Sequence, residues 1–458
     1  MGHFVFWFLL CAGVSLVWAQ APVKVLMLVL TLRVVVPFAA NSLLVGSAAH
    51  VSGIDGASWL MLVYGCVSVV SNTARQLPFT SRYPGISATF GLLVCEACIL
   101  TLATHHAKYI GGYVDQLVAP MIFLAVTVQA ARRNPKVLRS VATTLLALAI
   151  LEAALGIAQS LTHSLLVFDG YQVRAHTWLV TDGFQRAQGT LDSPLDLALL
   201  MLAAVPCITL IQTPTLRYIV AGLLLAGSMV SEARLGTVLL IVSLTYTLVF
   251  ERGPASRRTV ALILVPVIML GLITSSIGAG LVSRAANDNG SSATHASAYK
   301  YFRQQIPAIA VFGYGSGAAT QLQETNAIAS SFESGYLIYA YDFGLLFVGV
   351  LLAVQLYLAT AQKEFANPPV HVIAALCTLV MVAFYSSFES ESASSLLIWV
   401  VLALRGIPRG RQARTTVLTG RSGGAEVHPS RIVPHADVFR RSAVRDHAPY
   451  GKDGHARC

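Results

Sequence analysis

The feature that most constrains this chain is a succession of apolar runs. From Phe4 to Leu404, nearly every short polar stretch gives way to another run close to the length of a membrane crossing. A bilayer core about 30 Å thick needs about 20 helical residues, whereas a barrel strand needs only about 10. A spanning segment must also satisfy its own backbone hydrogen bonds, so runs of this length read as helices. The expected fold is all-α: a polytopic transmembrane helical bundle with two larger external loops. The 11% of charged residues agrees, because a soluble domain carries about 25%.

The candidate spans are 4–19, 23–45, 57–70, 86–104, 114–130, 137–161, 191–211, 216–230, 235–250, 259–282, 335–361, 371–388 and 394–404. The first and last are short, so the count is 12–13. The opening run resembles a signal peptide, with "VWAQA" as its cleavage site. It lacks a positive segment beyond the terminus, and a retained helix is the preferred reading. The linkers "ARRNPKVLR" (131–139) and "ERGPASRR" (251–258) are short and basic, which places them in the cytoplasm. The expected organisation is N-terminal helices over 1–161, a first external loop over 162–190 and helices over 191–282. A second external loop (283–332) and C-terminal helices (333–404) follow. The last segment, 405–458, is a basic, disordered cytoplasmic tail.

That tail holds eleven of the 31 Lys and Arg against four acids, or +7 of the net +10. Its composition lacks an apolar period and suits a solvated segment near anionic lipid. The high pI therefore gives no reason to expect nucleic acid. Neither external loop contains cysteine, so no disulfide is expected there. No His, Cys or carboxylate cluster has convincing metal spacing.

Ionisable residues at membrane depth are costly and are functional candidates by default. Arg33, Glu96, Glu152, Asp192, Asp196 and Asp342 all fall inside or at the start of runs. The ordinary expectation for Arg33 is interhelical pairing, with Glu96 or Glu152 as partner; the functional alternative is a proton relay. The stretch "GSMVSEARLGTVLL" is more specific. The apolar region around it, 216–250, has 35 residues, and two crossings need about 40. The turn 231–234 is thus expected to sit below the headgroups, with Arg234 in the floor or wall of an outward cavity. An arginine neutralised by Glu232 is the alternative.

The first external loop ends in "GFQRAQGTLDSPLDLALL". Ser193 is the expected N-cap and Pro194 the first helical residue. Arg186 beside that helix start would suit an anion. In the second loop, Tyr299, Phe302, Arg303 and Ile306 share helical spacing and suggest an amphipathic helix. "FGYGSG" (312–317) is a turn. Glu333 opens the apolar helix of 335–361. It is either a reactive carboxylate or part of a capping box from Ser330, S-x-x-E.

In this order, "RAQGTLDSPLDLALLMLAAVP", "SEARLGTVLLIVSL", "YKYFRQQIPAIAVFGYGSG" and "ESGYLIYAYDFGLLFVGVL" resemble the O-antigen ligase and Wzy-type polysaccharide polymerase superfamily of bacterial inner-membrane proteins. The resemblance covers 186–351; the N-terminal third matches only as generic spans. It implies a GT-C-like bundle that transfers an undecaprenyl-diphosphate-linked glycan to an acceptor hydroxyl on the periplasmic side. No cofactor or metal is implied. The implied partners are membrane lipids, a chain-length regulator and a flippase. Arg234 matches the family's Ser-Arg arginine and Arg186 its earlier arginine. Arg284, His295, Arg303 and Tyr336 are the further candidates for substrate binding. His295 stands where the family often has Arg. Glu333-Ser334 stands where ligases commonly have His-Asn, which favours a polymerase, with Glu333 as base and Arg234 as its catalytic partner. The alternatives are a ligase acting on lipid A–core and a transporter or flippase of lipid-linked glycan.

Overall fold

The computed structural model describes residues 2–46, 53–71, 84–104, 106, 109–175, 186–250, 255–275, 291–325, 332–360, 369–385 and 392–405. The regular structure among them is helical. In chain order the helices are α1 (Gly2–Val17), α2 (Pro22–Val35), α3 (Ser42–Val45), α4 (Gly56–Ser71), α5 (Pro84–Ala103) and α6 (Ile110–Arg133). Next come α7 (Lys136–Thr162), α8 (Asp169–Ala175), α9 (Pro194–Leu210), α10 (Pro214–Val230), α11 (Arg234–Phe250) and α12 (Ala255–Ile273). The last six are α13 (Ser291–Gln305), α14 (Ala318–Glu324), α15 (Gly335–Phe343), α16 (Leu345–Thr360), α17 (Pro369–Ala383) and α18 (Ser394–Leu404). The tail beyond Arg405 lies outside the described residues.

Three helices, α5, α6 and α7, are long and apolar enough to cross a membrane; counting the bent segment that begins with α2 makes four. The lipid-facing character is clearest in α5. Its mean hydropathy is 2.0, yet only 22% of its apolar stretch is buried. Leu92, Ile99 and Leu102 point outward. A contiguous exposed apolar face of this kind is unfavourable in water and natural in lipid. The opposite case is the centre of the bundle. All of α18 is buried, as is every residue of Pro194–Ala204 except Leu195. Helices apolar on every side belong in a core.

Around that centre, α7 packs on α2, α9 and α10, and α9 also meets α11 and α18. Small residues let these helices approach. A Cβ added at Gly227 would lie 2.8 Å from that of Ala153, a close crossing of the small-residue type.

Two expected spans are broken. The helix axis turns by 94° between Pro22–Val35 and Phe38–Val45. Pro37 causes this: it lacks an N–H and forces the residue before it out of helical geometry. Val36 is accordingly extended. The run over 335–361 is likewise two helices. Gly344, at φ +105°, separates α15 from α16, and a Cβ there would strike the Val311 carbonyl. Leu345 N–H donates instead to the Ile309 carbonyl at 2.9 Å.

Candidate functional site

The segment 186–196 is held almost residue by residue. The Arg186 Nε donates to the Ser231 carbonyl at 2.8 Å, and Ala187 N–H to the Val230 carbonyl at 3.1 Å. The Gln159 side chain on α7 accepts from Gln188 N–H (3.2 Å) and Gly189 N–H (2.9 Å), and donates to the Gly189 carbonyl (2.7 Å). Glu152, two turns earlier on the same face, accepts from Thr190 N–H at 2.7 Å. The Thr190 hydroxyl, with one proton, faces Glu152 Oε1 (2.7 Å) and the Val34 carbonyl (2.8 Å). Gly189 has φ +67°, and a Cβ there would run into the Glu152 carboxylate. Asp192 accepts from Phe38 N–H (2.7 Å) and Ala39 N–H (2.9 Å), which the broken α2 leaves unbonded. Ser193 then caps α9, accepting from Leu195 N–H at 3.2 Å, with Pro194 in the first turn.

These bonds join the segment to the turn between α10 and α11. Both helices are 17 residues long, and the connection is only Ser231, Glu232 and Ala233. Ser231 and Ala233 are buried, while Arg234, the first residue of α11, is exposed. The Ser231 hydroxyl donates to the Ser228 carbonyl at 2.7 Å, and Glu232 adopts φ +54°. A cation at a helix N-terminus opposes the helix dipole. An anion bound there is favoured by the dipole and by the guanidinium together. Arg186, seated on the same turn through Ser231, supplies a second guanidinium to it.

Glu333 precedes the helix instead of joining its first turn. Ser334 is the N-cap, accepting from Leu337 N–H at 3.4 Å. The capping box expected from Ser330 is therefore not the arrangement: Glu333 lies before the cap, where a box needs it three residues after. Ser330 itself lies outside the described residues. Glu333 is exposed, with φ +45°. Among the described residues, only His163, Phe168, Glu232 and Glu333 combine a side chain with positive φ. Strained backbone of this kind concentrates at functional positions. Two of the four are the carboxylates that lead into α11 and α15. Gly335 N–H donates to the Tyr385 carbonyl at 2.7 Å, and the Tyr385 ring lies beside Ser193 and Asp196. The entry to α15 thus stands at the same end of the bundle as the start of α9. Tyr336 is buried, and its hydroxyl donates to Gln355 of α16 at 2.8 Å.

The helix expected from the spacing of Tyr299, Phe302, Arg303 and Ile306 is α13, and of these four only Phe302 is buried. Ala298 and Phe302 are buried, with Ile309 beyond the helix end, whereas Tyr299, Arg303 and Ile306 are exposed. Phe302 stacks edge-on with Phe332 at 5.4 Å, and Phe332 meets Tyr341 at 5.6 Å. This aromatic seam ties α13 to α15. On the other side, Tyr299, Lys300 and Arg303 line a hollow of about 600 Å³. Partial burial and the nearby Glu333 carboxylate push the Tyr299 hydroxyl above its usual pKa. Arg284 and the side chain of His295 lie outside the described residues.

The glycine-rich turn approaches the chain itself. Tyr314 and Gly315 N–H donate to the carbonyls of Tyr341 (3.0 Å) and Asp342 (2.7 Å). The Asp342 carboxylate accepts from Gly317 N–H (2.9 Å) and Ala319 N–H (2.8 Å). Asp342 is thus the clasp between this turn and α15.

Arg33 pairs with neither Glu96 nor Glu152. Its guanidinium bridges Asp115 (2.5 Å) and Asp55 (3.3 Å) and donates to the Ser392 carbonyl at 2.5 Å. Gln116 donates to Asp115 at 3.0 Å. This buried centre joins α2, α4, α6 and α18. Among the described residues, no group of three or more His, Cys, Asp or Glu is placed to hold a metal ion. Comparison of the chain with models of known protein families and with curated proteins gives no match.

Proposed function

We propose that the chain is a multi-pass membrane glycan polymerase that transfers a lipid-diphosphate-linked oligosaccharide to a sugar hydroxyl of another lipid-linked repeat. The observation that carries this reading is the docking of Arg186 and Ala187 on Ser231 and Val230, which gives one helix N-terminus two arginines. The resemblance to O-antigen ligases and Wzy-type polymerases adds the substrate class: undecaprenyl-diphosphate-linked glycan, for exopolysaccharide, capsule or O-antigen. On this reading the bundle has 12–13 spans of the GT-C kind, with its two larger loops in the periplasm. The basic linkers at 131–139 and 251–258 face the cytoplasm.

The chemistry is displacement at an anomeric carbon. The acceptor oxygen forms the new bond, the bond from that carbon to the diphosphate oxygen breaks, and the hydroxyl proton passes to a base. Arg234 and Arg186 hold the diphosphate and the charge that grows on it as it leaves. Arginine suits this role because it stays charged and grips two phosphate oxygens at once. Fixed cations are most effective where water is scarce. Glu333, exposed at the mouth of α15 without a role in capping, takes the proton. Arg303 and Tyr299 extend the basic, aromatic surface beside it toward the glycan.

Glu333 at the position where ligases commonly have His favours polymerisation over transfer to lipid A–core. The test is the glycan ladder made in cells by variants that accumulate normally. Arg234→Ala and Glu333→Gln each abolish long chains, and Arg234→Lys restores little, because a point charge does not replace the fork. Long chains at wild-type level from either variant would refute the assignment.

A further inference from the structure

The far end of α2 carries a second polar site that the proposed chemistry does not use. Pro22 opens α2 about 20 Å from the Val34 carbonyl that meets Thr190, at 1.5 Å per residue. There a cavity of about 310 Å³ lies between the end of α1, the start of α2, α4, the end of α6 and the start of α7. Its polar lining is Gln20, Tyr64, Ser68, Gln129, Arg133 and Asn134, while Val23, Val126 and Val137 make its apolar wall.

Three observations give this cavity a sign and a size. Arg133 forms no ion pair among the described residues. The sequence has no acid between Asp115 and Glu152, while Arg133, Lys136 and Arg139 fall within that stretch, so the linker itself is basic. The N-terminus of α2, a helix of 14 residues, borders the cavity with no side-chain cap on its N–H groups. A lone guanidinium, an uncapped helix start and several amide and hydroxyl groups form a lining that favours an anion with hydroxyl substituents. The volume is at the lower limit for ligand pockets, which suits a headgroup and not an oligosaccharide. Val23, Val126 and Val137 beside the polar groups suit a ligand that joins a polar headgroup to an acyl tail.

We propose that this cavity binds the phosphodiester headgroup of an anionic phospholipid, with Arg133 on the phosphate and Gln20, Gln129 and Asn134 on the headgroup hydroxyls. Basic pockets between membrane helices are a recurrent form of such recognition. The inference rests on the membrane reading only and is independent of the glycan chemistry.

The test uses the full-length protein in neutral detergent, titrated with phosphatidylglycerol, phosphatidylcholine or inorganic phosphate and read by native mass spectrometry. Phosphatidylglycerol should bind about tenfold more tightly than phosphatidylcholine. Arg133→Gln should abolish that preference, as expected for one charge-assisted hydrogen bond. Arg139→Gln, an exposed charge on the next helix, should leave it intact. Ser68→Phe, which fills the cavity and keeps the charge, should also abolish it. Equal binding of the two lipids, no effect of Arg133→Gln and Ser68→Phe, or an equal effect of Arg139→Gln would overturn the proposal. So would full displacement of the lipid by millimolar phosphate, which would mark a site for a free anion.

Discussion

Gly189→Ala probes the Glu152 contact that holds the segment carrying Arg186 against α7. The residue has φ +67°, and a Cβ there would enter the Glu152 carboxylate. Left-handed backbone costs a residue with a Cβ about 1–2 kcal/mol. The carboxylate must also move, which loosens its bonds to Thr190 N–H and hydroxyl, both 2.7 Å. Each such bond contributes about 1 kcal/mol net. The expected loss is about 3–4 kcal/mol, read as a marked fall in thermal stability of the purified protein in detergent. The decisive comparison is the double mutant. With Glu152→Ala already in place the clash is gone, and Gly189→Ala then costs only the backbone term. The two substitutions should therefore be coupled by about 2 kcal/mol. Strict additivity, or a Gly189→Ala protein as stable as the parent, would refute the reasoning.

Arg33→Met should leave Asp55 and Asp115 buried without their cation, a loss of about 3–5 kcal/mol. It is checked by protein yield and by partial rescue when both aspartates become Asn. Asp342→Ala removes both acceptors for Gly317 and Ala319 N–H. It should cost about 2 kcal/mol and speed limited proteolysis within 306–325. Ser334→Ala should cost about 1 kcal/mol through loss of the cap. Glu333→Gln, outside the cap and exposed, should change stability by less than about 0.5 kcal/mol.

Much of the helix pattern was legible because a run of apolar residues is a one-dimensional signal. Ser193 and Pro194 also announced the start of α9 correctly. The breaks at 36–37 and at Gly344 were harder to read, since the apolar run continues through both. Pro37 and Gly344 were the available signs. Arg33 shows a different limit. Its partner was sought at Glu96 or Glu152, but Asp55 precedes α4, and Asp115, at the start of the expected span 114–130, was passed over; it lies in the π-helical turn at 114–118 within α6. Which distant ends meet is a property of packing. Gln159 was missed although it repeats the face of Glu152 seven residues on, a pair of polar side chains at helical spacing in an apolar helix. In α13 the spacing gave a helix correctly and left its buried side open. The seam with Phe332 and Tyr341 decides that side, and those residues come later in the chain. Asp342 was recognisable as costly, but its partners are backbone N–H groups, which the residue letters do not mark.

The most direct test is chain growth by the purified protein in detergent, supplied with lipid-diphosphate-linked repeats and no other enzyme. The account predicts longer lipid-linked glycans with release of lipid diphosphate, lost with Arg234→Ala. Movement of the unaltered lipid-linked glycan across intact vesicles, with no elongation in detergent, would contradict it and mark the protein as a transporter.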